Sequence, residues 1–310
     1  MAVNLKALSA KEPALSAGHR ACAGCAAPIV VRQVLMASDK PVVVGSATGC
    51  LEVTTSIYPY TAWNVNFIHN AFENSAATIS GVEAAFESLK KQGKIDDDIN
   101  FVAFGGDGGT YDIGFQSLSG AMERGHNMLY VCYDNGAYMN TGIQRSSATP
   151  QGANTTTTPA GKVSTGKKQY RKDLAEIMAS HHIPYVAQAS VSNYRDLIEK
   201  AQKAFSIKGP KFLNVLSPCR LGWGFNPENT VDLAQMMVDS CFWPLFEVEN
   251  GVWKLTYKPK NKPNIEEWMK LQARFKHLFR GEEGKAVIAA AQEEVDKRWE
   301  QILARCGETM

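Results

Sequence analysis

Short apolar runs punctuate the chain, each closing on glycine, aspartate or serine, and between them lie stretches with apolar residues three and four positions apart. A buried parallel strand reads as such a run, and its crossover helix as the amphipathic stretch that follows. Strands are expected at 41–47, 99–105, 128–133, 184–189 and 211–216. Helices are expected at 76–91, 113–124, 171–181 and 194–205. The alternation predicts an α/β fold with a mainly parallel sheet and helices on both faces, whose functional loops lie at the carboxyl ends of the strands.

Residues 149–169 are rich in Thr, Gly, Pro and Lys, with no apolar periodicity, and read as one long loop. Beyond Cys219 the pattern changes. Runs at 246–249 and 252–257 flank Asn250-Gly251, a strong hairpin signal, and charged helices are expected at 265–279 and 285–306. The division expected is residues 1–225 as a cofactor-binding domain and 226–310 as a hairpin and helical extension packed on partner subunits.

Composition narrows the class. With 33 basic and 31 acidic residues the net charge is +2, which favours neither nucleic acid nor an anionic membrane as a partner. No uncharged apolar stretch is long enough to span a bilayer, and residues 1–11 lack a signal-like apolar run, so a cytoplasmic location is expected. Seven cysteines without a secretory signal favour metal ligation or burial over a disulfide framework.

Two constellations carry chemistry. In the first, the run Phe101–Phe104 enters Gly105-Gly106-Asp107-Gly108-Gly109, where backbone amides can approach an anion beside a hard carboxylate oxygen. Alone, Gly-Asp-Gly is as much a plain turn. A second strand ends in Asp134-Asn135-Gly136-Ala137-Tyr138-Met139-Asn140, with 26 residues between Gly108 and Asn135. The pattern resembles the thiamine diphosphate signature: one strand, one crossover helix and a neighbouring strand would bring Asp107 and Asn135 together, with magnesium expected between phosphate and protein oxygens.

The second constellation is Cys22-Ala23-Gly24-Cys25 together with Cys50 and Cys219, each of the latter just after an expected strand. Four soft ligands suit a [4Fe–4S] cluster or a structural zinc, and spacing does not separate the two. Cys132 reads as core, and Cys241 and Cys306 as structural. His19, His69, His181 and His182 read as structural, Arg20 and Arg145 as solvated.

Several long segments then resemble the β subunit of pyruvate:ferredoxin oxidoreductase, in the 2-oxoacid:ferredoxin oxidoreductase family. They include Gly18–Cys25, Ala47–Val53, Tyr58–Trp63, Phe104–Gly109, Tyr133–Asn135, Tyr138–Pro150 and Trp223–Phe225, and the likeness covers nearly the whole chain. The resemblance implies a thiamine-diphosphate-binding fold that carries the diphosphate half of the site and one [4Fe–4S] cluster. It assigns the cluster to Cys22, Cys25, Cys50 and Cys219, with Cys50 also near the thiazolium, and magnesium to Asp107, Asn135 and the Ala137 carbonyl. Gly106, Asp107, Gly108 and Gly109 with Asn135, Gly136, Ala137, Tyr138, Met139 and Asn140 would wrap the cofactor, and Asn140 would face the reacting carbon. Ala26, Ala27 and Gly136 depart from the family pattern.

The activity implied is reversible thiamine-dependent oxidative decarboxylation of a 2-oxoacid, with single electrons leaving through the cluster to ferredoxin and, for pyruvate, the acyl group passing to coenzyme A. The same resemblance implies α, γ and δ type partner subunits, the α subunit supplying the glutamate that activates the cofactor; Glu52 and Glu73 are the unplaced candidates here. Sister enzymes act on oxalate, phenylglyoxylate, 2-oxoisovalerate or 2-oxoglutarate. A non-catalytic zinc or iron–sulfur scaffold is the alternative of another class.

Overall fold

The computed structural model describes residues 3–308; residues 1–2 and 309–310, the extreme ends of the two expected segments, lie outside the described residues. Eight strands form one sheet in the order β2-β1-β3-β4-β6-β5-β7-β8. These are β1 Val42–Ala47, β2 Asn66–Asn70, β3 Asn100–Gly106, β4 Leu129–Asp134, β5 Tyr185–Ser190, β6 Lys211–Leu216, β7 Phe246–Glu249 and β8 Val252–Leu255. The first six pair in parallel, and β7 joins β5, and β8 joins β7, antiparallel.

The helices are α1 Leu5–Ser9, α2 Ala27–Leu35, α3 Cys50–Thr55, α4 Ser75–Lys91, α5 Phe115–Glu123, α6 Leu174–Ala179, α7 Tyr194–Ser206, α8 Arg220–Trp223, α9 Thr230–Asp239, α10 Glu266–Lys270 and α11 Glu282–Arg305. Period-two alternation sends each central strand's side chains to opposite faces, so both faces are hydrophobic and both are covered. Val102, Phe104, Leu129, Val131 and Tyr133 join a core with α2, α7 and α9. Phe101, Ala103, Tyr130 and Cys132 join the other, with α4, α5 and α6. Helix α11 reaches both, Ile288 and Val295 into the first and Trp299, Ile302 and Leu303 into the second.

Each of the five expected strands is present, shifted by a residue or less at either end. The expected helix 113–124 is α5 preceded by a π-helical turn, Gly108–Ile113, of the kind that often marks functional sites. The expected helix 265–279 is instead the short α10 and a 3₁₀ turn, Ala273–Phe279, because Gln272 between them is extended. Asn250 (φ 49°) and Gly251 (φ 82°) form the hairpin turn, the left-handed pair a two-residue hairpin favours. Among the described residues, no helix is long and apolar enough to cross a membrane.

The chain leaves β1 toward β2 on one side and returns to β3 on the other. The crevice outside the carboxyl ends of β1 and β3 is therefore the switch point where α/β sheets bind ligands.

Candidate active site

Asp107 stands at the end of β3 and Asn135 at the end of the adjacent β4, as the two-strand argument requires, and the Asn135 amide donates to Asp107 Oδ1 at 3.2 Å. The end of the Asn135 side-chain amide lies 2.9 Å from the same oxygen and 2.9 Å from the Ala137 carbonyl, where its nitrogen can donate to both. Octahedral magnesium holds neighbouring oxygens about 2.9 Å apart, the edge given by a Mg–O distance of about 2.05 Å. A cation there would draw the amide oxygen inward; without one, the amide nitrogen donates to both oxygens.

Asp107 is fully buried. Burial pushes its carboxyl up to about 8, the neighbouring Asp134 acts the same way, and the Ser146 hydroxyl, donating to Oδ2 at 2.5 Å, opposes them. A carboxylate so costly to charge is one that a cation would reward. Asp134 is held by Arg171 at 2.6 Å, whose guanidinium also donates to Tyr111 Oη and lies 4.7 Å from the Trp243 ring centre.

Beside these groups lies a narrow cleft lined by Thr48, Gly49 and Cys50 just after β1, Gly106 at the end of β3 with Gly108 and Gly109 after it, Tyr133 in β4, and Asn135, Ala137, Tyr138, Met139 and Asn140 after β4, with Phe72. A Cβ at Gly108 would stand 2.4 Å from the Tyr138 ring, so no larger residue fits that wall. Asp107 lies beneath the cleft and Gly136 (φ 72°) behind it, neither forming its lining.

Cys22, Cys25, Cys50 and Cys219 line one neighbouring cavity of about 210 Å³. They are spread around it: among the described residues, no group of three or more His, Cys, Asp or Glu side chains is gathered tightly enough to hold a single metal ion. The Cys22–Cys25 turn depends on Gly24 (φ 74°), whose Cβ would lie 2.6 Å from the Pro227 carbonyl. Burial pushes Cys25 up to about 12 and Cys50 up to about 11, with the other cysteines adding to it, while the Asn140 side chain favours the Cys50 thiolate. Thiols this hard to ionise ligate only where a metal centre supplies the compensating charge. Cys50 and Met139 line both the cavity and the cleft. Cys132 and Cys241 are buried in the core.

Other contributors carry no motif. Trp223 Nε1 donates to the Asn135 carbonyl at 2.6 Å, and Thr149 Oγ1 to the Gly136 carbonyl at 2.7 Å, so the long loop and α8 both fix the Asn135–Gly136 turn. His69, expected to be structural, meets the Thr48 hydroxyl at 3.0 Å, and Thr48 lines the cleft. Glu52 is buried against Ser56 and 3.6 Å from His69; it does not line the cleft. His181 bonds Ser119 and the Ile177 carbonyl away from the site.

The family described as thiamine pyrophosphate enzyme, C-terminal TPP binding domain, matches residues 44–215, the span from β1 to β6. The pyruvate synthase subunit PorB of Thermotoga maritima is 52% identical, over 98% of this chain and 96% of its own. This chain belongs to the PorB family. PorB of Methanocaldococcus jannaschii is 54% identical over 86% of this chain and 91% of its own. A ketoisovalerate oxidoreductase subunit, VorB of Pyrococcus abyssi, is 44% identical over 92% and 91%. In fold, this PorB-family chain is similar to a 2-oxoglutarate:ferredoxin oxidoreductase from Magnetococcus marinus, with TM-score 0.53, 24% identity, and 64% of this chain and 63% of that one covered.

Proposed function

We propose that the chain is the β subunit of a cytoplasmic pyruvate:ferredoxin oxidoreductase, holding thiamine diphosphate, Mg²⁺ and one [4Fe–4S] cluster, and working with α, γ and δ type subunits, coenzyme A and ferredoxin. The observation that carries it is the shared wall: Cys50 and Met139 separate the Asp107–Asn135 cleft from the four-cysteine cavity and belong to both. A site that must release electrons singly needs that adjacency. Pyruvate is favoured among 2-oxoacids by PorB relatives of up to 54% identity, against 44% for the VorB relative.

When bound, thiamine diphosphate would supply the carbanion that takes up the 2-oxo carbon and releases CO2, and the cluster a one-electron acceptor. The chain's part is to hold and exclude water. Asp107, the Asn135 side chain and the Ala137 carbonyl would supply the protein's share of oxygens to magnesium, with diphosphate supplying others. Gly106, Gly108 and Gly109 let backbone amides approach the phosphates, and Tyr138 closes over Gly108. Asn140, in reach of Cys50, would face the reacting carbon. Cys22, Cys25, Cys50 and Cys219, spread round a cavity, suit a polynuclear cluster better than one zinc ion. Residues 1–225 form the cofactor-binding part in this reading, and 226–310 an extension that meets partner subunits.

Anaerobically purified protein is expected to be brown, with broad visible absorption that bleaches on reduction and is lost in Cys219→Ser. A colourless protein containing zinc would sink the proposal.

A further inference from the structure

Arg274 packs behind the site, against Trp223 and the Gly136 turn, from the 3₁₀ turn Ala273–Phe279, far in sequence from every motif. Its side chain is buried, at 5% exposure. Nε donates to Gln272 Oε1 at 2.7 Å, Nη2 is buried without a partner, and among the described residues no carboxylate forms an ion pair with it. The guanidinium lies 4.1 Å from the Trp223 ring centre and 4.9 Å from that of Phe275. Cation–π contact offsets part of the cost of burying a charge, but an unpaired buried cation remains costly.

Its surroundings name the missing counter-charge. Trp223 lies one helical turn after Cys219 and donates to the Asn135 carbonyl. Ala273 N donates to the Gly224 carbonyl at 3.2 Å, and a Cβ built on Gly136 would be 3.2 Å from Arg274 Nη1. Arg274 is thus clamped between the segment that follows Cys219 and the turn that carries Asn135. Arg171 is already paired with Asp134; Arg220, which lines the cysteine cavity, also has a buried Nε without a partner, so among the described residues Arg274 is one of two unpaired guanidinium groups in this region.

We propose that Arg274 is a positioning residue for the redox step: its fixed positive charge, spare beside Cys219, stabilises the reduced state of the cluster that Cys219 helps to hold. The proposal rests on the iron–sulfur reading above. Reduction adds one electron, drawn from the decarboxylated substrate, and so one negative charge, with no bond broken and no proton taken up. A low-dielectric site with a nearby unpaired guanidinium favours that added charge.

The test is a redox titration, followed by electron paramagnetic resonance, of the full chain purified anaerobically with its iron and sulfide. Arg274→Met is expected to lower the equilibrium constant for reduction at least tenfold, a midpoint about 59 mV more negative for one electron. Arg274→Lys keeps the charge and is expected within about threefold of wild type, since one charge replaces another at the same site. Gln272→Glu is nearly isosteric and sets a carboxylate on Nε, so it should shift the midpoint in the same direction by less. A merely structural role would change thermal stability or iron content and leave the Arg274→Met midpoint in place. If Arg274→Met loses the cluster, Gln272→Glu decides; wild-type potentials in the variants that retain it overturn the proposal. A wild-type chain with no reducible signal overturns the cluster reading itself, and this inference with it.

Discussion

At the scale of single residues, the motif positions were legible because their chemistry is fixed by residue type, while their supports were not. Asp107 and Asn135 could be paired from one strand, one crossover and one neighbouring strand, and the register Gly106↔Tyr133 places their strand ends together. Ser146, Trp223 and Arg274 bond or stack around them, yet a serine, a tryptophan or an arginine carries no spacing that announces such a role. The burial of Asp107 separates stability from binding. With no cation its carboxyl is pushed up to about 8, so at neutral pH it is mostly uncharged. Asp107→Asn is nearly isosteric with that neutral form and is expected to keep cation-free stability within about 1 kcal/mol, the scale of one neutral hydrogen bond. Calorimetric binding of magnesium thiamine diphosphate should weaken by roughly 100-fold, as for a lost charged contact of about 3 kcal/mol. Unchanged affinity would exclude Asp107 as a ligand.

At the scale of elements, apolar periodicity found what is buried on both sides and missed what is not. Strand β2 is not legible in the sequence because Asn66–Asn70 is an edge strand, mostly half-exposed, with no apolar run. Helix α2 is hard to read from sequence because Ala27–Leu35 carries Pro28 and the β-branched run Ile29-Val30-Val31, which weaken the helical signal, although its Ala, Pro, Val and Leu are buried. The long loop, rightly placed at 149–169, has an anchor that composition hides. Lys167 is 1% exposed and donates to the carbonyls of Ser147, Thr149 and Tyr170, pinning the segment that reaches Gly136 through Thr149. Burial holds Lys167 down to about 7, with Arg171 and Arg145 acting in the same direction, against 10.5 for an ordinary lysine. Between these values the unfolded chain binds the extra proton, so this group makes stability rise with pH from about 7 toward 10.5 and contributes no slope below 7. Lys167→Met should flatten that part of the profile, read as urea midpoints at pH 7 to 10. A wild-type and variant difference independent of pH in that window would refute the assignment.

At the scale of the whole molecule, one sheet carries both constellations because its parallel strands deliver Cys50, Asp107, Asn135 and Cys219 to the same edge, from β1, β3, β4 and β6. The C-terminal segment was legible as a hairpin and charged helices, but its attachment was not. Nothing in residues 246–255 alone says that β7 pairs with β5, or that α11 contributes to the cores on both faces. The cleft itself is half furnished. Its walls supply oxygens for a cation, glycines for phosphates and an asparagine, but among the described residues lining it there is no glutamate and no cationic side chain. Activation of the aminopyrimidine by a carboxylate is general acid–base catalysis, worth about 10² to 10⁴ in rate, and a substrate carboxylate needs a counter-charge. Both would have to come from across an interface. The chain loaded with thiamine diphosphate, magnesium and its cluster is therefore expected to reduce ferredoxin with pyruvate at least about 100-fold more slowly than the full complex. Adding the α type subunit should restore turnover in proportion to complex formed. A loaded single chain that matched the complex would mean that the catalytic carboxylate lies on this chain, with Glu52, buried 3.6 Å from His69, the first residue to replace.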